Sequence, residues 1–258
     1  MRICRFTTAQ STAPLFGIIE GDFVLPLAES ESLESFPSPR TGTPIPIAGV
    51  RLLAPLAPSK IVCVGRNYQD HAAEMGNPIP DEPLLFLKAP SSIIGHGETI
   101  LLPPESNQVE HEGELGAVIG RTAHHIRHDE DPLGYVLGYT CVNDVTARDL
   151  QRKDIQFTRA KSFDTFCPVG PVIVTDISTA DLKVITRVNG RVRQHGRTST
   201  MAFSLPFLVR YISRIMTLLP GDLISTGTPS GVSSLKAGDH VEVQVSGIGC
   251  LQNPVRSA

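Results

Sequence analysis

The sequence predicts a β-rich α+β protein, and three observations carry that prediction. Short apolar runs rich in β-branched residues recur along the chain, bounded by Gly, Pro and Asn. Glycine and proline number 22 and 21 of 258 residues, which favours turns and strands over a helical bundle. Strong helical periodicity is confined to one segment, 204–216. With 41% hydrophobic and 19% charged residues, a chain of this length can bury a substantial core.

Residues 2–7, 15–19 and 23–27 read as strands, the last two around a Glu20-Gly21-Asp22 turn. From 28 to 46 the composition shifts to Glu, Ser, Pro and Thr, which marks a polar connector. Residues 1–50 are therefore expected to form a small N-terminal β module with its connector, and 51–258 the main domain. The β-branched run 61–64 is a buried strand ending in Gly65-Arg66-Asn67-Tyr68. Residues 69–75 make a short helix stopped by Gly76-Asn77-Pro78, and the proline-rich stretch 76–83 is a loop. Strands are expected at 84–88, 109–119, 133–143, 171–175, 183–188, 223–225 and 240–245, and a helix at 145–152. Asn189-Gly190 signals a hairpin between 185–188 and 191–194. Segment 204–216 places Leu205, Leu208, Val209, Ile212, Ile215 and Met216 at helical spacing.

Composition also excludes classes of function. The net charge is −3 with no basic excess, which argues against a nucleic-acid partner. Aromatics are 5% and Trp is absent, so base-stacking platforms are not expected. No apolar run approaches the ~20 residues that cross a bilayer, and the first residues lack the apolar stretch of a signal peptide. Cys4, Cys63, Cys141, Cys167 and Cys250 are dispersed and contain no CxxC pair. That pattern argues against disulfides or a zinc–thiolate site and predicts a cytoplasmic protein. Cys63 and Cys141, inside apolar strands, are expected to be inert.

The strongest chemical feature is Glu110-His111-Glu112-Gly113-Glu114-Leu115. In a strand, Glu112 and Glu114 share one face, where they form either a salt-bridged solvated edge or half of a cation site. The zincin pattern HExxH fails because position 115 is Leu. Downstream, Asp144, Arg148 and Gln151 are spaced i, i+4, i+7, so a helix starting at Asp144 would align them. Asp144 reads either as the N-cap of that helix or as a third carboxylate. Three carboxylates would suit Mg²⁺ or Mn²⁺ better than zinc or copper. His71 and Glu74, at i and i+3, are neighbours on a short helix. They are either a surface contact or a general base with its orienting carboxylate. Lys161 reads by itself as a surface lysine, and the Gly-rich run 225–231 as a tight turn without the lysine of a phosphate loop. His124, His125 and His128 read as a solvated loop. No G-x-S-x-G elbow supports a serine hydrolase.

The order of these pieces is more specific than any one of them. G-R-N-Y-x-x-H-x-x-E (65–74), E-x-E-L (112–115) and N-D-V-T-A-R-D-L-Q (143–151) come first. A-K-S-F-D-T-F-C-P (160–168), T-G-T-P-S-G-V (226–232) and G-I-G-x-L-x-N-P-V (247–255) follow. Together they closely resemble the fumarylacetoacetate hydrolase superfamily over about residues 58–255. The resemblance implies a mixed β-roll catalytic domain, usually a homodimer, that uses a divalent cation, commonly Mg²⁺. It implies a metal on Glu112, Glu114 and Asp144, and the substrate's keto-acid end near Arg148, Gln151, Lys161 and Thr228. His71 and Glu74 match the pair that activates water in hydrolytic members. Arg66 and Lys88 could be further anion-binding groups. The small-molecule substrate implied is a 2-oxo or 2,4-dioxo acid whose enolate the cation and Lys161 stabilise. The leading expectation is hydrolysis of an acylpyruvate. The alternative is decarboxylation or isomerisation of a 2-oxo diacid, with a non-catalytic ligand-binding protein behind both.

Overall fold

The computed structural model describes residues 1–27, 33, 36 and 42–258. Of the connector expected at 28–46, residues 28–32, 34–35 and 37–41 lie outside the described residues. The fold is strand-rich with few helices. Among the described residues a 12-stranded mixed sheet faces a five-stranded sheet, and neither closes into a barrel.

The large sheet grows outward from Gly113–Ile119, which pairs antiparallel with Val136–Asn143 on one side and Leu223–Ser225 on the other. Ile61–Gly65 lies parallel to Leu223–Ser225 and pairs antiparallel with Leu84–Lys88. Beyond Val136–Asn143 comes Cys167–Val174, and against it Arg2–Thr8, which brings in Leu15–Glu20, Phe23–Pro26, Ile45–Pro46 and Val50–Leu53. The N-terminal strands thus continue the sheet of the rest of the chain. The small sheet holds Lys183–Val188, Arg191–Arg197, His240–Val245, Gly249–Ser257 and Ile100–Leu102. Asn189 and Gly190 have φ of 52° and 75°, as a tight two-residue hairpin requires.

Every residue of Gly113–Ile119 is buried, because the strand is covered on both faces. Leu115, Ala117 and Ile119 pack with Val184, Val243, Val245 and the apolar stripe of helix Leu205–Ile215. Val118 joins Ile61, Cys63, Val142, Val169 and Leu223 on the opposite face. Gly113 is required by this packing, since a Cβ there would lie 2.0 Å from Thr186 Oγ1. The five cysteines are free, and burial pushes the Cys141 thiol up to about 12, so it is protonated and unreactive. His124, His125 and His128 are exposed. No helix among the described residues is long and apolar enough to cross a membrane.

Several elements differ from the sequence reading, for visible reasons. The strand expected at 109–119 is split into Val109–Glu110 and Gly113–Ile119. Between them the backbone turns to other partners. The His111 N–H donates to Ser233 O, Glu112 N–H to Asn143 Oδ1 and Gly113 N–H to Gln194 Oε1. The helix expected from 145 begins at Arg148, because Thr146–Ala147 pairs with Val109–Glu110. Asp144 is therefore not a helix cap, and it does not share a helical face with Arg148 and Gln151. Residues 132–135 form a 3-10 turn capped by Asp131 instead of starting the next strand. Gly249–Ser257, Ile93–Ile94 and Ile100–Leu102 were not expected as strands.

Candidate active site

The break at 111–112 and the non-helical turn at 144–145 bring three carboxylates together. Asp144 N–H donates to Glu112 O at 2.8 Å, which fixes the strand end holding Asp144 against the strand start holding Glu112 and Glu114. One oxygen from each of Glu112, Glu114 and Asp144 lies within 4.8 Å of the others, and all three side chains are buried.

Cations surround this cluster. Lys161 Nζ donates to Glu112 Oε2 at 2.8 Å and to Asp144 Oδ2 at 2.7 Å. It also sits 5.0 Å from the centre of the Phe86 ring. Lys88 Nζ donates to Asp144 Oδ1 at 2.6 Å and to Val145 O at 3.1 Å. Arg148 bridges Glu112 and Glu110, with Nε 2.8 Å from Glu110 Oε2, and its Nη1 donates to Gln151 Oε1 at 2.5 Å. Burial alone would raise the Glu112 pKa, but Lys161 and Arg148 outweigh it and hold the carboxyl well below the usual range. The same balance raises Lys161, where Asp144 and Glu112 overcome desolvation. Both stay charged.

Glu114 is different. Its Oε2 accepts from Ser225 Oγ at 2.5 Å and from Gly227 N at 2.8 Å, and among the described residues no cation is bonded to it. Burial first, then the Asp144 and Glu112 charges, push it up to about 8. Gly227 adopts φ +95°, and a Cβ there would lie 2.8 Å from Asn67 Cβ. The Gly-rich run is thus a tight turn that presents a backbone N–H to Glu114. A cluster of hard oxygen donors, one of them pushed toward protonation by burial and then by its like-charged neighbours, fits a divalent cation.

A pH prediction follows from Glu114. Between its ordinary value of 4.5 and about 8, the unfolded chain has lost a proton that the metal-free folded chain retains. The Glu114 contribution to metal-free stability therefore falls as pH rises through that window. Binding a cation expels the proton, so stabilisation by Mg²⁺ grows through the same window. Thermal unfolding with Mg²⁺ and with EDTA across that range checks this, and calorimetry in buffers of different ionisation enthalpy should count about one proton released per ion near pH 7.

A cavity of about 250 Å³ opens on the cluster, lined by Arg66, His71, Phe86, Glu112, Glu114, Asp144, Arg148, Gln151, Arg152, Phe157, Lys161 and Thr228 among others. His71, on helix Gln69–Glu74, is 7% exposed. Its Nδ1 lies 3.3 Å from Glu74 Oε2, and both Glu74 oxygens accept the Gly231 N–H at 3.1 Å. Thr228 Oγ1 is occupied from behind, donating to Gly113 O at 2.9 Å and accepting from Gln194 Nε2 at 2.7 Å.

The nine residues that the resemblance implied for metal, substrate and base, His71, Glu74, Glu112, Glu114, Asp144, Arg148, Gln151, Lys161 and Thr228, fall at this cavity, Glu74 through its contact with His71. Lys161 is not a surface lysine: it is 2% exposed. Lys88 does not serve as a free anion-binding group, because its ammonium is spent on Asp144 and Val145 at 1% exposure. Its signal was a lysine ending an otherwise apolar strand. Lys88→Met should lower the stability of the metal-free protein by about 1–3 kcal/mol in urea unfolding, the cost of removing one of the two ammonium partners of buried Asp144 while Lys161 remains. Sequence reasoning missed Ser225, Asn143 and Gln194, whose roles depend on contacts 31 to 111 residues away along the chain.

A family model described as "Fumarylacetoacetate (FAA) hydrolase C-terminal" matches residues 60–256. The chain belongs to the fumarylacetoacetate hydrolase family. A second model, "Rv2993c-like, N-terminal", matches residues 1–55 of this family member. It is 49% identical to Protein Rv2993c of Mycobacterium tuberculosis, over 99% of this chain and 98% of that protein. It is 46% identical to oxaloacetate tautomerase YisK of Bacillus subtilis, over 81% of this chain and 74% of that protein. Among solved structures, 2-hydroxyhepta-2,4-diene-1,7-dioate isomerase from Mycobacterium marinum superimposes with a TM-score of 0.89 at 44% identity, over 100% of this chain and 98% of that one.

Proposed function

We propose that this fumarylacetoacetate hydrolase family protein interconverts the keto and enol forms of a 2-oxo diacid of the oxaloacetate type. The observation that carries the proposal is the cavity itself, where His71 and the buried acidic cluster with its cations line one small space. Enolisation needs a base and a stabilised oxyanion, and the cavity offers both. The names carried by relatives at 46% and 44% identity support isomerisation over the acylpyruvate hydrolysis first expected.

With Nδ1–H donated to Glu74, the lone pair of His71 is on Nε2, ready to take the proton from the carbon beside the keto group. Glu74 holds the ring and is itself held by Gly231 N–H. Lys161 places a fixed positive charge beside the cluster, where negative charge develops on the keto oxygen. Gln151 Oε1 is taken by Arg148, so its amide N–H groups remain to hold the acid's carboxylate. A divalent cation on Glu112, Glu114 and Asp144, Mg²⁺ or Mn²⁺, would supply Lewis-acid polarisation of the 2-oxo acid.

The test follows the enol absorbance of oxaloacetate together with CO₂ and pyruvate release, with Mg²⁺ and with EDTA, beside acetylpyruvate as a second substrate. Metal-dependent tautomerisation with acetylpyruvate left intact is the expected result. Acetylpyruvate cleavage without tautomerisation would restore the hydrolase reading, and CO₂ release in step with enol loss would assign a decarboxylase.

A further inference from the structure

Among the described residues, Arg66 is the cation of the cavity wall whose guanidinium is left unspent. Arg148 and Lys161 are committed to Glu110, Glu112 and Asp144, and Arg152 Nη1 donates to Gln108 Oε1 at 3.0 Å. Arg66 lines the same space without a hydrogen bond or ion pair to any described residue. Its backbone is unusual as well: φ is 57°, a left-handed conformation that non-glycine residues seldom adopt.

The fold enforces that conformation from both sides. Gly65 is locked into the sheet opposite Leu84. Asn67, fully buried, donates from Nδ2 to Phe203 O at 3.1 Å and Thr226 O at 2.8 Å, and accepts at Oδ1 from Phe203 N at 2.7 Å. Its own carbonyl accepts from Ala202 N at 2.8 Å. Arg66 sits between two fixed points, and the left-handed turn redirects its side chain from the strand to the cavity wall. Over-determined strain at a cavity is a mark of function.

The charge pattern indicates what Arg66 meets. Four buried carboxylates (Glu110, Glu112, Glu114, Asp144) face three buried cations (Lys88, Arg148, Lys161). One divalent ion leaves that group with a single positive charge, which the carboxylate beside a keto group matches. Arg66 adds a second positive charge at the wall, and a second carboxylate would match it. We propose that Arg66 binds the distal carboxylate of a 2-oxo diacid and so selects dicarboxylates over their monocarboxylate counterparts. The proposal rests on the keto-acid end lying at the carboxylate cluster.

Two acids that do not turn over test it apart from the reaction. (S)-Malate and (S)-lactate share a 2-hydroxy acid end and differ in the distal carboxylate. Their binding to the Mg²⁺-loaded protein is measured by titration calorimetry for wild type, Arg66→Met and Arg66→Lys. Wild type should favour malate by roughly 10- to 100-fold, the value of one charged hydrogen-bonded contact. Arg66→Met should erase that preference with lactate affinity unchanged, and Arg66→Lys should restore part of it. Absence of a malate preference in wild type, its survival in Arg66→Met, or equal weakening of both acids would overturn the assignment. Loss of tautomerase activity alone would bear only on the reaction.

Discussion

Glu114→Gln should reduce turnover by at least ~10³-fold, the several kcal/mol that a Lewis acid contributes to a developing oxyanion, while the fold stays intact. The amide keeps an oxygen that can accept from Ser225 Oγ and Gly227 N–H, so the contacts that seat the side chain survive. What disappears is the third negative charge of the cation site. The variant should therefore lose stabilisation by Mg²⁺. Its metal-free stability relative to wild type should also increase as pH rises from 4.5 to about 8, because the Glu114 proton that wild type retains is gone. Turnover within tenfold of wild type, or unchanged stabilisation by Mg²⁺, would contradict the cation assignment. Circular dichroism and urea unfolding separate these outcomes from a folding defect.

His71→Ala should lower kcat by roughly 10²- to 10⁴-fold, the usual value of a positioned general base, with KM little changed. The side chain touches Glu74 and lines the cavity, while Glu74 is anchored independently to Gly231 N–H. Removing the ring therefore leaves the helix attached and opens space beside the substrate. Added imidazole should recover part of the rate. A loss below tenfold, or a change confined to KM, would assign His71 to binding and move the base elsewhere.

Much of this architecture is legible in the sequence where local pattern decides. The apolar runs at Ile61–Gly65, Leu84–Lys88 and Lys183–Val188, the Asn189-Gly190 hairpin and the amphipathic helix Leu205–Ile215 all follow from periodicity and turn chemistry. Gly249–Ser257 escapes because Gly249, Asn253 and Pro254 read as breakers. In the fold Asn253 Nδ2 instead ties the strand to Gly95 O and Glu98 O. The cation site is legible as residue types and order, but its geometry is not. Asp144 reads as a helix cap until Thr146–Ala147 is seen paired with Val109–Glu110, a long-range strand contact that local propensity cannot register. Lys161 looks like an ordinary surface lysine, and Lys88 like an anion-binding group, because their burial depends on carboxylates 49 and 56 residues away.

Proton exchange at the carbon beside the keto group tests the central claim most directly. Oxaloacetate and pyruvate in D₂O are followed by proton NMR with the wild-type protein, with Mg²⁺ and with EDTA, beside His71→Ala. Metal-dependent deuterium incorporation above the solvent rate, lost with EDTA and in His71→Ala, is the result this structure predicts. Exchange no faster than solvent in the Mg²⁺-loaded wild-type protein would contradict enolisation at this site.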